Sequence, residues 1–242
     1  MKLIVGIVAA IFFCSQSFAA IFNTNIIDTP LLVHKCSDFT VNGKGDNNEW
    51  QKADWHEINK INQEGKEYKS KFKILYSTTG IYVLFNGEDD KITTDYKNDF
   101  DNLFNADVFE IFFHPDTTEN IYFEYEVSPM NKELVLLILN RKGKFGGWIP
   151  WHYEDKNKTT KNVIINGGKM ESNGSIKSWS AEIFFPYKIF NPLLNVPPSS
   201  GTRWNANFCR LDYDTGKQSM WSWSPATNSF HEFKKYLPVV FE

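Results

Sequence analysis

Three cysteines, four methionines and five histidines make up the whole supply of soft or redox-active ligands in this 242-residue chain. There is no Cys-x-x-Cys pair and no histidine cluster, so the zinc-site pattern is missing. The 26 basic residues are outnumbered by 29 acidic ones, giving a net charge of −3. No basic stripe breaks that balance, which argues against nucleic acid or an anionic membrane surface as partner. The N-terminal apolar run is too short to span a bilayer, and no other long apolar segment exists. Apart from a turn near 187–194, no window of eleven or more residues keeps a capped 3.6-residue apolar period, which excludes a helical protein. No internal repeat is visible.

The N-terminus has the layout of a secretory signal: Lys2, an apolar run over 3–13, then the small residues Ser17 and Ala19. We read residues 1–19 as a signal peptide cleaved after Ala19 and 20–242 as one soluble domain, secreted, periplasmic or displayed at the cell surface. Cys14 follows Ile11, Phe12 and Phe13 rather than small residues, which argues against lipid attachment. Export leaves Cys36 and Cys209, and an oxidising compartment permits a disulfide between them worth on the order of 2–4 kcal/mol. Two buried thiols on separate strands is an equally good reading.

What the chain has in quantity is aromatic residues, 21 Phe, 10 Tyr and 8 Trp, set in short β-type runs. Such runs cover 72–76, 81–86, 108–113, 121–127, 133–139, 162–165, 178–185, 203–211, 219–224 and 237–241, bounded by Gly, Pro, Asn or Asp. In 121–127, Tyr122, Glu124 and Glu126 alternate with Phe123, Tyr125 and Val127, so one face is acidic and the other apolar. The expected fold is all-β: two antiparallel sheets of about ten strands in an immunoglobulin-like or jelly-roll sandwich. Loops over 89–105, 142–161 and 187–202 are long enough to carry binding groups.

Trp221 and Trp223 lie two apart in a strand that Pro225 ends, so their rings share a face. A second aromatic group, Trp148 and Trp151 with His152 and Tyr153, follows Gly146 and Gly147, which let the backbone turn while presenting rings. Trp50, Trp55, Trp179 and Trp204 read as core.

Taken in order, Val41-Asn-Gly-Lys-Gly-Asp-Asn-Asn-Glu-Trp50, Phe72-Lys-Ile-Leu-Tyr76, Asp107-Val-Phe-Glu-Ile-Phe112, Trp179-Ser-Ala-Glu-Ile-Phe-Phe-Pro186, Trp204-Asn-Ala-Asn-Phe208 and Trp221-Ser-Trp-Ser-Pro225 resemble the family 9 carbohydrate-binding modules and their DOMON-like relatives. The resemblance spans about 33–241. It implies a β-sandwich that binds an oligo- or polysaccharide without cleaving it, alongside polysaccharide-degrading enzymes. It also implies a sugar clamp of Trp223 and Phe104, with Glu110 bonding hydroxyls. Glu126 stands where those clamps carry a base, a departure that Arg210 compensates if it faces the same pocket. Trp148 and Trp151 would sit at the rim, and Trp221 serves as a further platform or as a core plug.

A sugar needs aromatic planes for its C–H face and polar groups for its hydroxyls, and these residues supply both. No cofactor is expected beyond structural calcium, for which the Asp/Asn-rich loop offers Asp99 and Asp101; a solvated acidic loop is the plainer reading. An exported haem-binding redox domain is the alternative function, with Met130 and His231 as axial ligands. A two-carboxylate hydrolase is disfavoured: Glu124 and Glu126 are neighbours on one strand face, and Asp107 and Glu110 point to opposite faces.

Overall fold

The computed structural model describes residues 29–151 and 158–242, so the expected signal peptide, Cys14, His152 and Tyr153 lie outside the described residues. The described residues form thirteen strands: β1 (Leu31–Lys35), β2 (His56–Lys60), β3 (Ser70–Tyr76), β4 (Gly80–Glu88), β5 (Val108–His114), β6 (Ile121–Val127), β7 (Glu133–Arg141), β8 (Lys144–Pro150), β9 (Thr160–Asn166), β10 (Ser178–Pro186), β11 (Arg203–Asp212), β12 (Ser219–Ser222) and β13 (Leu237–Phe241). Every run expected from composition is among them. The three additions, β1, β2 and β8, were hidden by charged residues in the first two and by paired glycines in the third.

One layer runs β8-β7-β6-β5-β11, with β12 and β13 both pairing β11; the other runs β9-β10-β4-β3-β2. Pairing is antiparallel except at β1, which runs parallel to β13 with its first residues and to β3 with its last. β1, together with the short β12 to β2 pairing, ties the two layers at their edges.

Between the layers Phe109, Ile111, Phe113 and Phe208 of the first meet Phe72, Phe85, Ile183 and Phe185 of the second. Phe72 stacks on Phe208 at 3.7 Å between ring centroids and Phe85 on Phe109 at 4.5 Å. Each such side chain contributes about 1.5–3 kcal/mol by leaving water. The outer faces are covered as well. Val108, Phe112, Leu134, Leu136 and Leu211 of the first layer pack beneath Leu103, Phe230 and Tyr236. Tyr82 and Leu84 of the second pack beneath Val41 and Trp50.

The covering segment of the second layer is fastened by Glu182, whose carboxylate accepts from the backbone N–H of Asn42 and Gly43 and from Trp50 Nε1, each at 2.7 Å. Gly43 sits at φ +85°, and a Cβ there would stand 2.9 Å from Ile164, so only glycine fits.

Of the two readings of the cysteines the structure shows the unpaired one, and the core reading of Trp55 is overturned. Cys36 lies in the outer cluster of the second layer and Cys209 in that of the first; both thiols are free, with the sandwich between them. Trp55 is not core: it is 38% exposed and lies under the Lys71 and Lys73 ammonium groups. Trp50, Trp179 and Trp204 are buried as expected.

Candidate functional site

A cavity of about 350 Å³ opens on the outer face of the first layer. Its floor is the strand surface, with Glu110 from β5, Glu124 from β6, Leu136 from β7, Leu211 from β11 and Met220 from β12. Strand alternation and register select these residues, because Glu110 pairs Glu126 and Phe112 pairs Glu124 across β5 and β6. The acidic face read in 121–127 is therefore the cavity floor.

Three segments raise the walls. The 3₁₀ turn Leu103–Asn105 anchors Leu103 in the outer cluster and turns Phe104 to the cavity. Tyr213 donates from its hydroxyl to the Phe104 carbonyl at 2.8 Å and accepts from Gln218 Nε2 at 2.7 Å, which pins that turn. β8 brings Trp148, paired with Ile138, and Gly147 at φ +123° supplies the backbone angle just before it. Trp148 is 42% exposed, and its ring meets Phe104 edge to face at 6.3 Å. The segment after β12 contributes Asn228, Ser229, Phe230 and His231. The His231 ring packs 4.4 Å from Phe145, and its Nδ1 lies 2.9 Å from the Tyr122 hydroxyl.

The electrostatics of the floor are unusual. Glu110, Glu124 and Glu126 are buried; Glu124 and Glu126 lie against each other, the Phe104 backbone N–H faces Glu126 and His231 Nδ1 stands 3.9 Å from Glu124 Oε2, yet no donor reaches either Glu126 oxygen or Glu124 Oε2 at full hydrogen-bond geometry. Burial raises all three carboxyls: Glu124 to about 8, Glu110 well above its usual value with Glu124 adding to it, and Glu126 likewise with Glu110 and Glu124 adding. Burial pulls His231 down to about 4, so its imidazole is neutral at ordinary pH. Among the described residues no lysine or arginine lines the cavity.

Phe104, Glu110 and Trp148 thus share one cavity, with Glu126 beside them under the floor. The others do not join them. Arg210 follows Cys209, the partner of Glu110, so alternation turns it to the inner face. There its Nη2 bonds Asp89 at 3.0 Å and Asp212 at 2.7 Å, and its guanidinium lies 5.2 Å from the Trp221 ring. The expected compensation of Glu126 by Arg210 is therefore ruled out by strand parity. Trp221 is fully buried as a core plug. Trp223 is half-buried on the same inner side, edge-on to Phe72 at 5.5 Å and Phe208 at 5.7 Å, so it and Phe104 lie on opposite faces and form no clamp. Trp151, three residues past Trp148, faces inward and donates from Nε1 to the Ile189 carbonyl at 2.8 Å.

Asp99 and Asp101 are not brought together as metal ligands: Asp99 accepts from the Glu133 N–H, and Asp101 from those of Lys97 and Asn98. The described carboxylates that do converge are Asp89, Asp107, Asp212 and Asp214, with ligand oxygens within 4.8 Å of one another. Arg210 bonds two of that group, Asp89 and Asp212, and Thr93 and Tyr213 donate backbone N–H groups to Asp107. Met130 packs on the inner core and His231 on the outer cavity, so the pair of haem ligands is not assembled.

Sequence reasoning missed Glu124, Phe145, Asn228 and His231 as cavity residues. The alternation that exposed Glu124 was legible, but the covering segments that turn that face into a cavity were not.

Several solved structures share the fold. A proposed carbohydrate-binding protein from Bacteroides uniformis superposes with a TM-score of 0.71 at 14% identity, covering 88% of this chain and 99% of that one. A family 9 carbohydrate-binding module from Caldicellulosiruptor kristjanssonii in complex with cellotriose superposes with a TM-score of 0.59 at 15% identity, covering 88% and 93%. A family 9 module from the same organism in complex with glucose gives 0.58 at 14%, covering 87% and 95%. No match was found among curated proteins. The sequence model of carbohydrate-binding family 9 matches residues 46–241, from the loop before Trp50 through the last strand, and the chain belongs to that family.

Proposed function

We propose that this protein binds a pyranose ring, as a free sugar or as a residue of a glycan, in the cavity between Phe104 and Trp148. The observation that carries this reading is the pairing of an edge-to-face aromatic wall with a floor of buried carboxyls in a single open concavity. The rings offer planes for C–H faces. Glu110 and Glu124, with Asn228 and Gln218 at the margin, offer polar atoms for hydroxyls, and each hydroxyl left unpaired in such a cavity would cost about 1–3 kcal/mol. Family membership and the sugar-bound modules of the same fold support the assignment.

The reading is of a binding protein rather than an enzyme. Glu110, Glu124 and Glu126 all project from one face of the sheet, Glu110 directly opposite Glu126 and diagonal to Glu124, so they lie on one side of a bound sugar rather than on either side of a glycosidic bond. The signal-like N-terminus supports export, and export supports a role beside separate polysaccharide-degrading enzymes. Among the described residues no helix is long and apolar enough to cross a membrane.

Calorimetric titration of the purified protein with glucose, cello-oligosaccharides and a panel of other soluble glycans tests the reading. Saturable binding that Phe104→Ala and Trp148→Ala each weaken supports it. Failure of every sugar, or binding indifferent to both substitutions, contradicts it.

A further inference from the structure

A carboxyl floor with no cation among its described lining is more than a neutral sugar needs. Glu110 and Glu124 line the cavity, and Glu126 lies behind the lining, opposite Glu110 and two residues along β6 from Glu124. All three are at least 97% buried. In a site meant only for hydroxyls, buried acceptors would be expected to have donors already in place, since an unpaired buried polar atom is costly. Here Glu124 and Glu126 have chiefly each other: the Phe104 backbone N–H faces Glu126 and His231 Nδ1 stands 3.9 Å from Glu124 Oε2, but no donor reaches Glu124 Oε2 or either Glu126 oxygen at full hydrogen-bond geometry.

The charged and titratable groups around this floor can be taken element by element. β6 adds Tyr122, β11 adds Cys209, and the covering segments add His231, Tyr236 and Tyr213. Burial raises the phenols and the thiol and lowers the imidazole, so all stay uncharged near neutral pH. Lys144, Lys234 and Lys235 line an adjoining groove that shares Phe145, Ser229 and His231 with the cavity but not its floor, and Lys235 is already paired with Glu232 at 3.1 Å. No resident cation serves the floor, while the walls are aromatic. That combination is how proteins hold organic cations: ring faces attract the charge and carboxylates neutralise it.

We propose that the cavity is selective for an amino sugar, a pyranose carrying a free ammonium group that sits over Glu124, with Glu126 behind it, while its ring lies against Phe104 and Trp148. This rests on the pyranose-binding reading and names the class of sugar. The empty site holds its carboxyls protonated, and the arriving ammonium ionises one of them, which releases one proton to solvent.

The test compares glucosamine with glucose and N-acetylglucosamine, which present a hydroxyl or a neutral amide in place of the charge, using calorimetry on the full chain. Glucosamine is expected to bind at least about tenfold more tightly than either. Its affinity should rise about tenfold per pH unit between about pH 5.5 and pH 7, as one-proton release requires, and His231 does not titrate in that range. Glu124→Gln and Glu126→Gln, which keep shape, should each abolish both the preference and the pH slope, and Glu126→Gln, which lies behind the cavity lining, should do so without removing glucose binding. Equal affinity for glucose and glucosamine, or a preference that survives both substitutions, overturns the amino-sugar assignment and leaves the pyranose reading standing. Putrescine binding as tightly as glucosamine also overturns it, because the ring would then contribute nothing. Loss of all sugar binding overturns both readings.

Discussion

Glu110 and Glu126 face each other directly across β5 and β6, both buried beneath the cavity, and no described cation lies between them. Two ionised carboxylates in that relationship would repel strongly, so the pair is stable only while at least one holds a proton. Much of the protein's expected behaviour follows from that pair and from Glu124 beside it.

Stability should fall as pH rises across the floor's titration. A carboxyl whose folded pKa is raised is neutral in both states below about 4.5, ionises first in the unfolded chain, and so loses stability until its folded pKa is passed. His231 works the other way, gaining stability as pH rises from about 4 to its ordinary 6.5. The clear window is therefore pH 6.5 to 8, ending at the raised value of Glu124. Asp89, raised to about 7, adds to the fall in its lower part. Urea denaturation of wild type and Glu124→Gln should show a gap in favour of the variant that widens by about 1 kcal/mol per pH unit there.

Trp148→Ala should separate binding from folding. The ring is exposed and contributes to the cavity wall rather than to either core, so its removal should change stability by no more than about 0.5 kcal/mol. Sugar affinity should drop about tenfold or more in the same protein, with the losses compared by calorimetry and urea midpoints.

Arg210 should show the opposite pattern. Its guanidinium answers Asp89 and Asp212 on the inner face, and Arg210→Ala leaves those buried carboxylates without it, at a cost of about 3–5 kcal/mol. Sugar affinity of the fraction that remains folded should be unchanged, because the cavity is on the other side of the sheet. A specific loss of affinity at unchanged stability would mean that Arg210 reaches the ligand.

The two cysteines should behave as buried thiols even in protein recovered from an oxidising compartment. Burial pushes Cys36 up to about 12 and Cys209 well above its usual value, so neither forms thiolate near neutral pH. A thiol-reactive dye should label neither in the native protein and both in denaturant, with or without prior reduction.

The sandwich was largely legible from residues because aromatic and β-branched runs become strands whatever their neighbours. The strands that escaped notice were short and charged, as with His56–Lys60, or glycine-bearing, as with Lys144–Pro150; pairing to a neighbouring strand makes those and no local signal reports it. Phe104, Glu110 and Trp148 were legible as candidate site residues. Trp223 and Arg210 were misplaced for one shared reason. Which face a side chain takes depends on register with the next strand, and Cys209 opposite Glu110 puts the following arginine inside. Glu124 reads in the sequence only as a poor catalytic acid, since its cavity exists only once residues from 103 and 228 onward fold over the sheet.

The most direct measurement is a crystal structure of the protein with a bound sugar. The account predicts a pyranose ring against Phe104 and Trp148, with polar groups within hydrogen-bond distance of Glu110 and Glu124. A sugar held instead at Trp223, at Trp55 or on the outer face of the second layer, with this cavity unchanged, would contradict it.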